Sequence, residues 1–167
     1  MSSARAYIGL GANLGATETT LLHAIEALQA IPGIERAESS RLYRSDPVDA
    51  PGPTYVNAVL ALTTTLSPLG LLEALRDTEV QFGRERHFRN APRTLDLDLL
   101  LYDRLSFTTP TLTVPHPRMH LRAFVLKPLI ELVGLQLPVA GKSLGDWLKE
   151  CQTQPCEPLG IAVGHSN

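Results

Sequence analysis

The residues RTLDLDLLLY, Arg93 to Tyr102, set two aspartates at alternate positions in a leucine run. In a strand, alternate residues share a face, so Asp96 and Asp98 project together while Leu95, Leu97, Leu99 and Leu101 project the other way. Their α-carbons then stand roughly 6.6 Å apart at strand rise. Aspartate is a poor strand residue, and two on one face repel. Either they are solvated on a wet sheet face or a cation lies between them. Paired carboxylates make a hard-oxygen site that suits Mg²⁺, which keeps water ligands and shares its coordination with phosphates. The preceding loop, GRERHFRNAPR, brings Arg84, Arg86, Arg89 and Arg93, with His87 among them. A basic loop running into an acidic strand supplies what a metal–polyphosphate site needs. The carboxylates hold the ions, and guanidinium forks take the remaining phosphate oxygens.

A second basic cluster follows in TVPHPRMHLR. Thr113, His116 and Arg122 are candidates for contacts to a nucleotide's phosphates or sugar, whereas Arg118 and His120 read as solvated loop residues. A different surface comes from YVNAVLALT, where Tyr55 and Asn57 alternate with Val56 and Ala58. An aromatic plane beside a primary amide suits a flat heterocycle with donors and acceptors on its edge, and Phe124 offers a second plane. A half-buried sheet face with a satisfied amide accounts for Tyr55 and Asn57 equally well.

Several chemistries are excluded. GLGANLG carries Gly9, Gly11 and Gly15, but Leu14 stands where a dinucleotide fingerprint needs glycine. Gly9 and Gly11 are expected to let the chain turn beside the sheet, with Asn13 bracing that loop or a ligand. No GxxxxGK[ST] and no protein-kinase signature occurs. Cys151 and Cys156 with scattered histidines make no zinc-hydrolase set, and the pair fits a reduced cytoplasm. A net charge of −2 provides no field to recruit nucleic acid or an anionic membrane. At 5% aromatic, the chain lacks the stacking surface of an RNA-recognition domain. A ligand sensor has no need of paired carboxylates beside four arginines. A Mg²⁺-dependent phosphoryl or nucleotidyl transferase remains, its acceptor open at this point. No apolar run suggests a signal segment or a membrane span.

The elements that must position these residues follow from periodicity. A strand at Ala4–Leu10 precedes a helix at Thr17–Ile31, stopped by Pro32-Gly33. A strand at Ile34–Tyr43, a proline-rich loop at Ser45–Pro53 and a strand at Tyr55–Thr63 come next. A helix starts at Ser67-Pro68, carries Leu69, Leu72, Leu75 and Phe82, and ends at Gly83. A strand at Thr94–Tyr102 hairpins through Asp103-Arg104 to Leu105–Phe107. A helical pattern over Leu121–Val133 is broken at Pro128, a short helix follows Ser143, and the tail after Trp147 is loosely organised. The order predicts one α+β domain, residues 1–167, with a ferredoxin-like antiparallel sheet and helices packed on it in three αβα layers. Helices cover one face, and the other is left for loops and ligands.

The run RNAPRTLDLDLL, Arg89 to Leu100, resembles the signature of the 6-hydroxymethyl-7,8-dihydropterin pyrophosphokinase family of the folate pathway. The likeness extends through YIGLGANLG, LYRSDP, YVNAV, GRER, TVPHPRM and RAFVLKPL. It implies transfer of the β,γ-diphosphoryl group of ATP to the pterin's hydroxymethyl oxygen, with release of AMP. Under it, Asp96 and Asp98 bind two Mg²⁺ ions, and Arg84 and Arg93 stabilise charge on the transferred group. Arg86 and Arg89 hold phosphates, and Glu79, Leu99, Thr113, His116 and Arg122 surround ATP. Ser45, Val48, Tyr55, Asn57 and Phe124 line the pterin pocket, the two rings sandwiching it. A cytoplasmic monomer acting on small molecules alone is expected. The sequence departs from some members at Asn90, where they carry an aromatic, and in a basic loop one residue shorter. Arg76, Thr111 and Pro117 replace polar or aromatic residues that touch nucleotide in some members.

Overall fold

Two periodicities alternate along the N-terminal half, and each yields its own kind of element. A computed structural model of the chain describes residues 2–12, 17–45, 54–83 and 95–159. Strand β1 (Ala4–Ala12) buries Ala4, Ala6, Ile8 and Leu10 on one face. Helix α1 (Thr17–Gln29) buries Leu21, Ala24, Ile25 and Leu28 along one stripe. It ends two residues before the expected Ile31, because a tighter Ile31 N–H to Leu28 C=O bond closes the last turn. Gly33 then takes a left-handed φ of 97°.

The expected single strand over Ile34–Tyr43 is two, β2 (Ile34–Ser39) and β3 (Tyr43–Ser45). Between them Ser40 keeps one backbone bond, its N–H donating to Val59 C=O, and serine side chains take the neighbouring groups. Ser39 Oγ donates to Ser40 C=O, and Ser40 Oγ donates to Arg41 C=O while accepting from Val59 N–H. Strand β4 (Tyr55–Thr64) is buried along most of its length. Helix α2 (Pro68–Gly83) starts as expected, with Ser67 Oγ accepting from Gly70 N–H at 3.0 Å. Its buried stripe is Leu71, Leu75 and Thr78, with Leu72 and Phe82 partly covered; Leu69 is exposed.

Strand β5 (Asp96–Tyr102) pairs with β1, but with an irregularity. Ile8 faces Leu99 and Tyr7 faces Leu101, so Leu100 is an extra residue. This β-bulge reverses the alternation. Leu95, Leu97 and Leu99 pack with α1 and α2 as expected, but Leu101 joins Leu100 on the opposite face, and Tyr102 returns to the first.

Beyond β5 the expected hairpin does not form. Asp103, at a φ of 48°, is tied to β1: its N–H donates to Arg5 C=O, and its Oδ1 accepts from Arg5 N–H. The chain leaves the sheet edge there. Strand β6 (Phe107–Thr108) pairs instead with β7 (Thr113–Val114). A 3₁₀ turn at Met119–Leu121 leads into α3 (Ala123–Val133), which runs unbroken through Pro128. Pro128 and its neighbour Leu129 are buried, and that packing offsets the one hydrogen bond the proline removes. The small hairpin β8 (Pro138–Val139) and β9 (Lys142–Ser143) precedes α4 (Leu144–Lys149), capped by Ser143 Oγ. The tail is more ordered than expected: β10 (Cys156–Pro158) pairs with β3.

Six strands form one antiparallel sheet in the order β10-β3-β4-β1-β5, with β2 on a further stretch of β4. Helices α1 and α2 cover one face. The other face is not left to loops alone: α3 and α4 pack there on Val59, Leu100, Leu101 and Met119. Among the described residues no helix is long and apolar enough to cross a membrane.

One polar cluster joins α3 to the sheet. Tyr43 OH donates to Glu131 Oε1 at 2.7 Å, and Arg41 donates through Nε and its backbone N–H to the two oxygens of the same carboxylate. Burial, aided by that carboxylate, pushes the Tyr43 hydroxyl up to about 12. An unfolded tyrosine ionises near 10, so the stability from the neutral, bonded hydroxyl is complete below pH 10 and lost between pH 10 and 12. Tyr43→Phe is expected to cost roughly 1–2 kcal/mol at neutral pH, because Arg41 still holds the carboxylate. Urea titrations from pH 7 to 12 check this, and the variant should lose less stability than wild type above pH 10.

Candidate active site

The site is a row of residues across three strands. In the ladder, Asn57 of β4 faces Gly11 of β1, and Gly11 faces Asp96 of β5; one step along, Gly9 faces Val59 and Asp98. Directly paired residues share a face, so the amide and both carboxylates stand on one side with glycines between them. At strand spacing, Asn57 and Asp96 are about 10 Å apart. The glycines do not make a turn beside the sheet, as expected; they lie within β1. Gly11 admits a close approach: a Cβ there would stand 3.1 Å from Asn57 Nδ2. Asn13 lies outside the described residues.

At one end of the row, Asn57 is buried and its Oδ1 accepts from Ser45 Oγ at 2.6 Å. Ser45 is paired with Tyr55, which is half-buried and stands on the same face as Asn57. Phe124, at the start of α3, is half-buried against the cluster on this face, with the Arg122 guanidinium 5.6 Å from its ring centroid. Val48 lies outside the described residues.

At the other end, Asp98 is exposed and Asp96 half-buried. Asp98 lines an open cleft of about 520 Å³ with Glu79, Leu99, Thr113 and His116, four of the residues expected around a nucleotide. Arg76, Thr111 and Pro117 line it too. Arg122 is not on its wall. Glu79 Oε2 accepts from Leu97 N–H at 2.8 Å, so α2 satisfies a donor of the edge strand. His116 follows a cis Val114–Pro115 bond. Its N–H donates to the carbonyl of the bulged Leu100 at 2.9 Å, and its Nδ1 accepts from Arg118 N–H at 3.1 Å. The neutral ring therefore carries its proton on Nε2. Burial lowers the His116 pKa, with Arg122 and Arg118 acting in the same direction and Asp98 opposing them. His120, expected as a solvated loop residue, instead packs on Trp147 with ring centroids 4.5 Å apart.

Arg84, Arg86, Arg89 and Arg93 lie outside the described residues. Among those described, no three His, Cys, Asp or Glu side chains cluster as a metal cage. The donor set on β5 is two carboxylates only, which fits a cation that keeps its remaining positions for water and phosphate oxygens.

The two glycines should respond differently to substitution. At Gly9 an added Cβ would meet Leu100 at an ordinary 3.5 Å, whereas at Gly11 it presses on an amide held by Ser45. Gly11→Ala is expected to cost about 1–3 kcal/mol, a Tm loss of several degrees, while Gly9→Ala leaves Tm within about a degree or raises it. Calorimetric melting of both variants checks the contrast.

Comparison with known proteins places the chain in a family. Residues 7–134 match the profile of the family described as 7,8-dihydro-6-hydroxymethylpterin-pyrophosphokinase (HPPK). A Pseudomonas aeruginosa protein named 2-amino-4-hydroxy-6-hydroxymethyldihydropteridine pyrophosphokinase is 43% identical over 93% of this chain and 96% of its own. A Synechocystis protein of the same name is 38% identical over 96% of this chain and 84% of its own. A crystal structure described as HPPK-DHPS in complex with substrates superposes with a TM-score of 0.71 at 11% identity. That likeness covers 90% of this chain but only 43% of the longer one, and shows the fold alone. The chain belongs to the 7,8-dihydro-6-hydroxymethylpterin-pyrophosphokinase family.

Proposed function

We propose that the two ends of the glycine-floored row are the two substrate sites of a diphosphate transfer. The reaction moves diphosphate from ATP to 6-hydroxymethyl-7,8-dihydropterin in folate biosynthesis. One bond forms, between the hydroxymethyl oxygen and the β-phosphorus. Two break: the O–H bond of the hydroxymethyl group, whose proton passes to solvent, and the bond between that phosphorus and the oxygen that departs on AMP.

The observation that carries the reading is the shared face: Asn57, Gly11 and Asp96 in one row, Gly9 and Asp98 in the next. Asn57, its amide oriented by Ser45 Oγ, reads the polar edge of the pterin, and Tyr55, Phe124 and Val48 supply its apolar walls. ATP takes the cleft of Glu79, Leu99, Thr113 and His116, and Arg122, which does not line it, contributes its charge to the nucleotide. Its phosphates extend toward Asp96 and Asp98, which would hold two Mg²⁺ ions. When bound, Mg²⁺ neutralises phosphate charge and lowers the pKa of a coordinated hydroxyl. Glu79 accepts from Leu97 N–H at the outer edge of β5, and the bulge carbonyl holds His116 beside Asp98. Arg86 and Arg89 grip phosphates, while Arg84 and Arg93 meet the charge on the transferred group. Positioning and charge neutralisation supply most of the acceleration in such transfers. The arrangement is read as a ferredoxin-like αβα domain, a reading supported by the order of the central strands, and the enzyme is proposed to act as a monomer.

Incubation with ATP, Mg²⁺ and the hydroxymethyl pterin tests the reading. Equimolar AMP and pterin diphosphate are expected; stoichiometric ADP with a monophosphorylated pterin contradicts it. Asp96→Ala and Asp98→Ala are each expected to lower kcat by more than about 100-fold with an unchanged far-ultraviolet spectrum, since both carboxylates face away from the leucine core. Turnover near wild type at saturating Mg²⁺ in either variant would remove the metal from this strand.

A further inference from the structure

The C-terminal segment from Gln154 to Pro158 reaches the proposed site from behind at three points. At one end the Gln154 carboxamide is used on both sides. Its Oε1 accepts from Ala123 N–H at 2.8 Å, and its Nε2 donates to Leu121 C=O at 2.9 Å. These backbone groups bracket Arg122. Arg122 is the N-cap residue of α3, yet its side chain makes no capping hydrogen bond; its guanidinium lies over Phe124, and its charge reaches His116. The first amide of α3 is therefore capped by a residue 31 positions away. In the middle, Lys127 Nζ on α3 donates to Cys156 C=O at 2.6 Å. At the far end Cys156 pairs with Ser45, the residue that orients Asn57.

We infer that Gln154 is a positioning residue for the reaction: its carboxamide fixes the backbone on both sides of Arg122, and so sets where Arg122 and Phe124 stand toward the two substrates. The inference rests on the assignment of those two residues to the substrate site. The backbone at Arg122 is extended, with φ −125° and ψ 115°, and its guanidinium stands 5.6 Å from the Phe124 ring centroid. Without Gln154, Leu121 C=O and Ala123 N–H lose their partners. The Arg122 backbone is then held by its N–H bond to Met119 C=O and by the helix bonds to its own carbonyl, so the Arg122 and Phe124 side chains gain freedom to shift. A displacement of this kind weakens binding without removing any group that touches the reacting atoms.

Steady-state kinetics on the full chain separates this role from simple stabilisation. Gln154→Leu, which keeps the size and loses both hydrogen bonds, is expected to raise KM for ATP and for the pterin roughly tenfold, with kcat within about threefold of wild type. Gln154→Glu keeps an acceptor for Ala123 N–H, where the helix dipole favours a carboxylate, and should fall between wild type and Gln154→Leu. Glu150→Gln, which removes only the exposed ion pair with Lys142 in the same region, should match wild type in both constants. A Gln154→Leu variant that melts earlier but retains both KM values, at a temperature where it is fully folded, overturns the inference. Should that variant not fold, Gln154→Glu decides, since unchanged KM values in it overturn the inference equally. Calorimetric binding of a non-hydrolysable ATP analogue and of the pterin repeats the comparison without turnover. Absence of AMP from wild type would therefore defeat the assigned reaction and leave the Gln154 measurement standing.

Discussion

Strand β5 carries one residue more than β1 can pair, and the extra residue, Leu100, divides the strand into two halves with different tasks. Before the bulge, alternation sends leucines to the α1–α2 core and both aspartates to the opposite face. After it, Leu100 and Leu101 both lie on the aspartates' face, under α3 and the 3₁₀ turn. The same face is thus acidic at one end and sealed at the other. The bulge carbonyl is also the acceptor that anchors His116, so the loop after β7 is held beside Asp98 by the irregularity itself. Bulges at the edge of a sheet re-aim side chains in this way. Here the bulge joins the apolar seal to the acidic cleft.

The rest of the face is organised around what must not be there. A side chain at Gly11 would press on the Asn57 amide nitrogen and shift the group that Ser45 holds through its oxygen. The two ends of the row are stiffened from outside the central strands. Glu79 of α2 satisfies the β5 edge, and the Arg41–Tyr43–Glu131 cluster ties α3 to the sheet beside β3. The last described strand, β10, extends the sheet past Ser45. Asn57, Asp96 and Asp98 therefore stand on strands braced from outside the row, at the β5 edge by Glu79 and His116 and at the far side by β3 and β10.

Much of this was legible in the residues. The Asp96–Asp98 pair stood out because alternation allowed only one face for both, and the β4 alternation placed Tyr55 and Asn57 together in the same way. The bulge was not legible, because a one-residue slip depends on pairing with β1 and leaves no mark in the alternation of β5 alone. For the same reason Leu101 was misplaced. Pro128 was read as a break because the local rule omits the packing that offsets one lost bond. The split at Ser39 and Ser40 turned on side-chain bonds to nearby carbonyls, which composition does not order. Gln154 carried no signal at all: its meaning comes from a contact with Ala123 far away in the chain. Glycine inside a strand was the one signal left unread, since a missing side chain there marks a close approach as often as a turn.

The central claim is that Asp96 and Asp98 act as one cation site on an open sheet face, in line with Asn57 across Gly11. Crystals grown with Mn²⁺ in place of Mg²⁺, a non-hydrolysable ATP analogue and the hydroxymethyl pterin test it directly through anomalous scattering. The account predicts manganese within coordination distance of oxygens from both carboxylates and of the analogue's phosphates, with the pterin amide edge against Asn57. Manganese held elsewhere, with Asp96 and Asp98 solvated and apart, would contradict it.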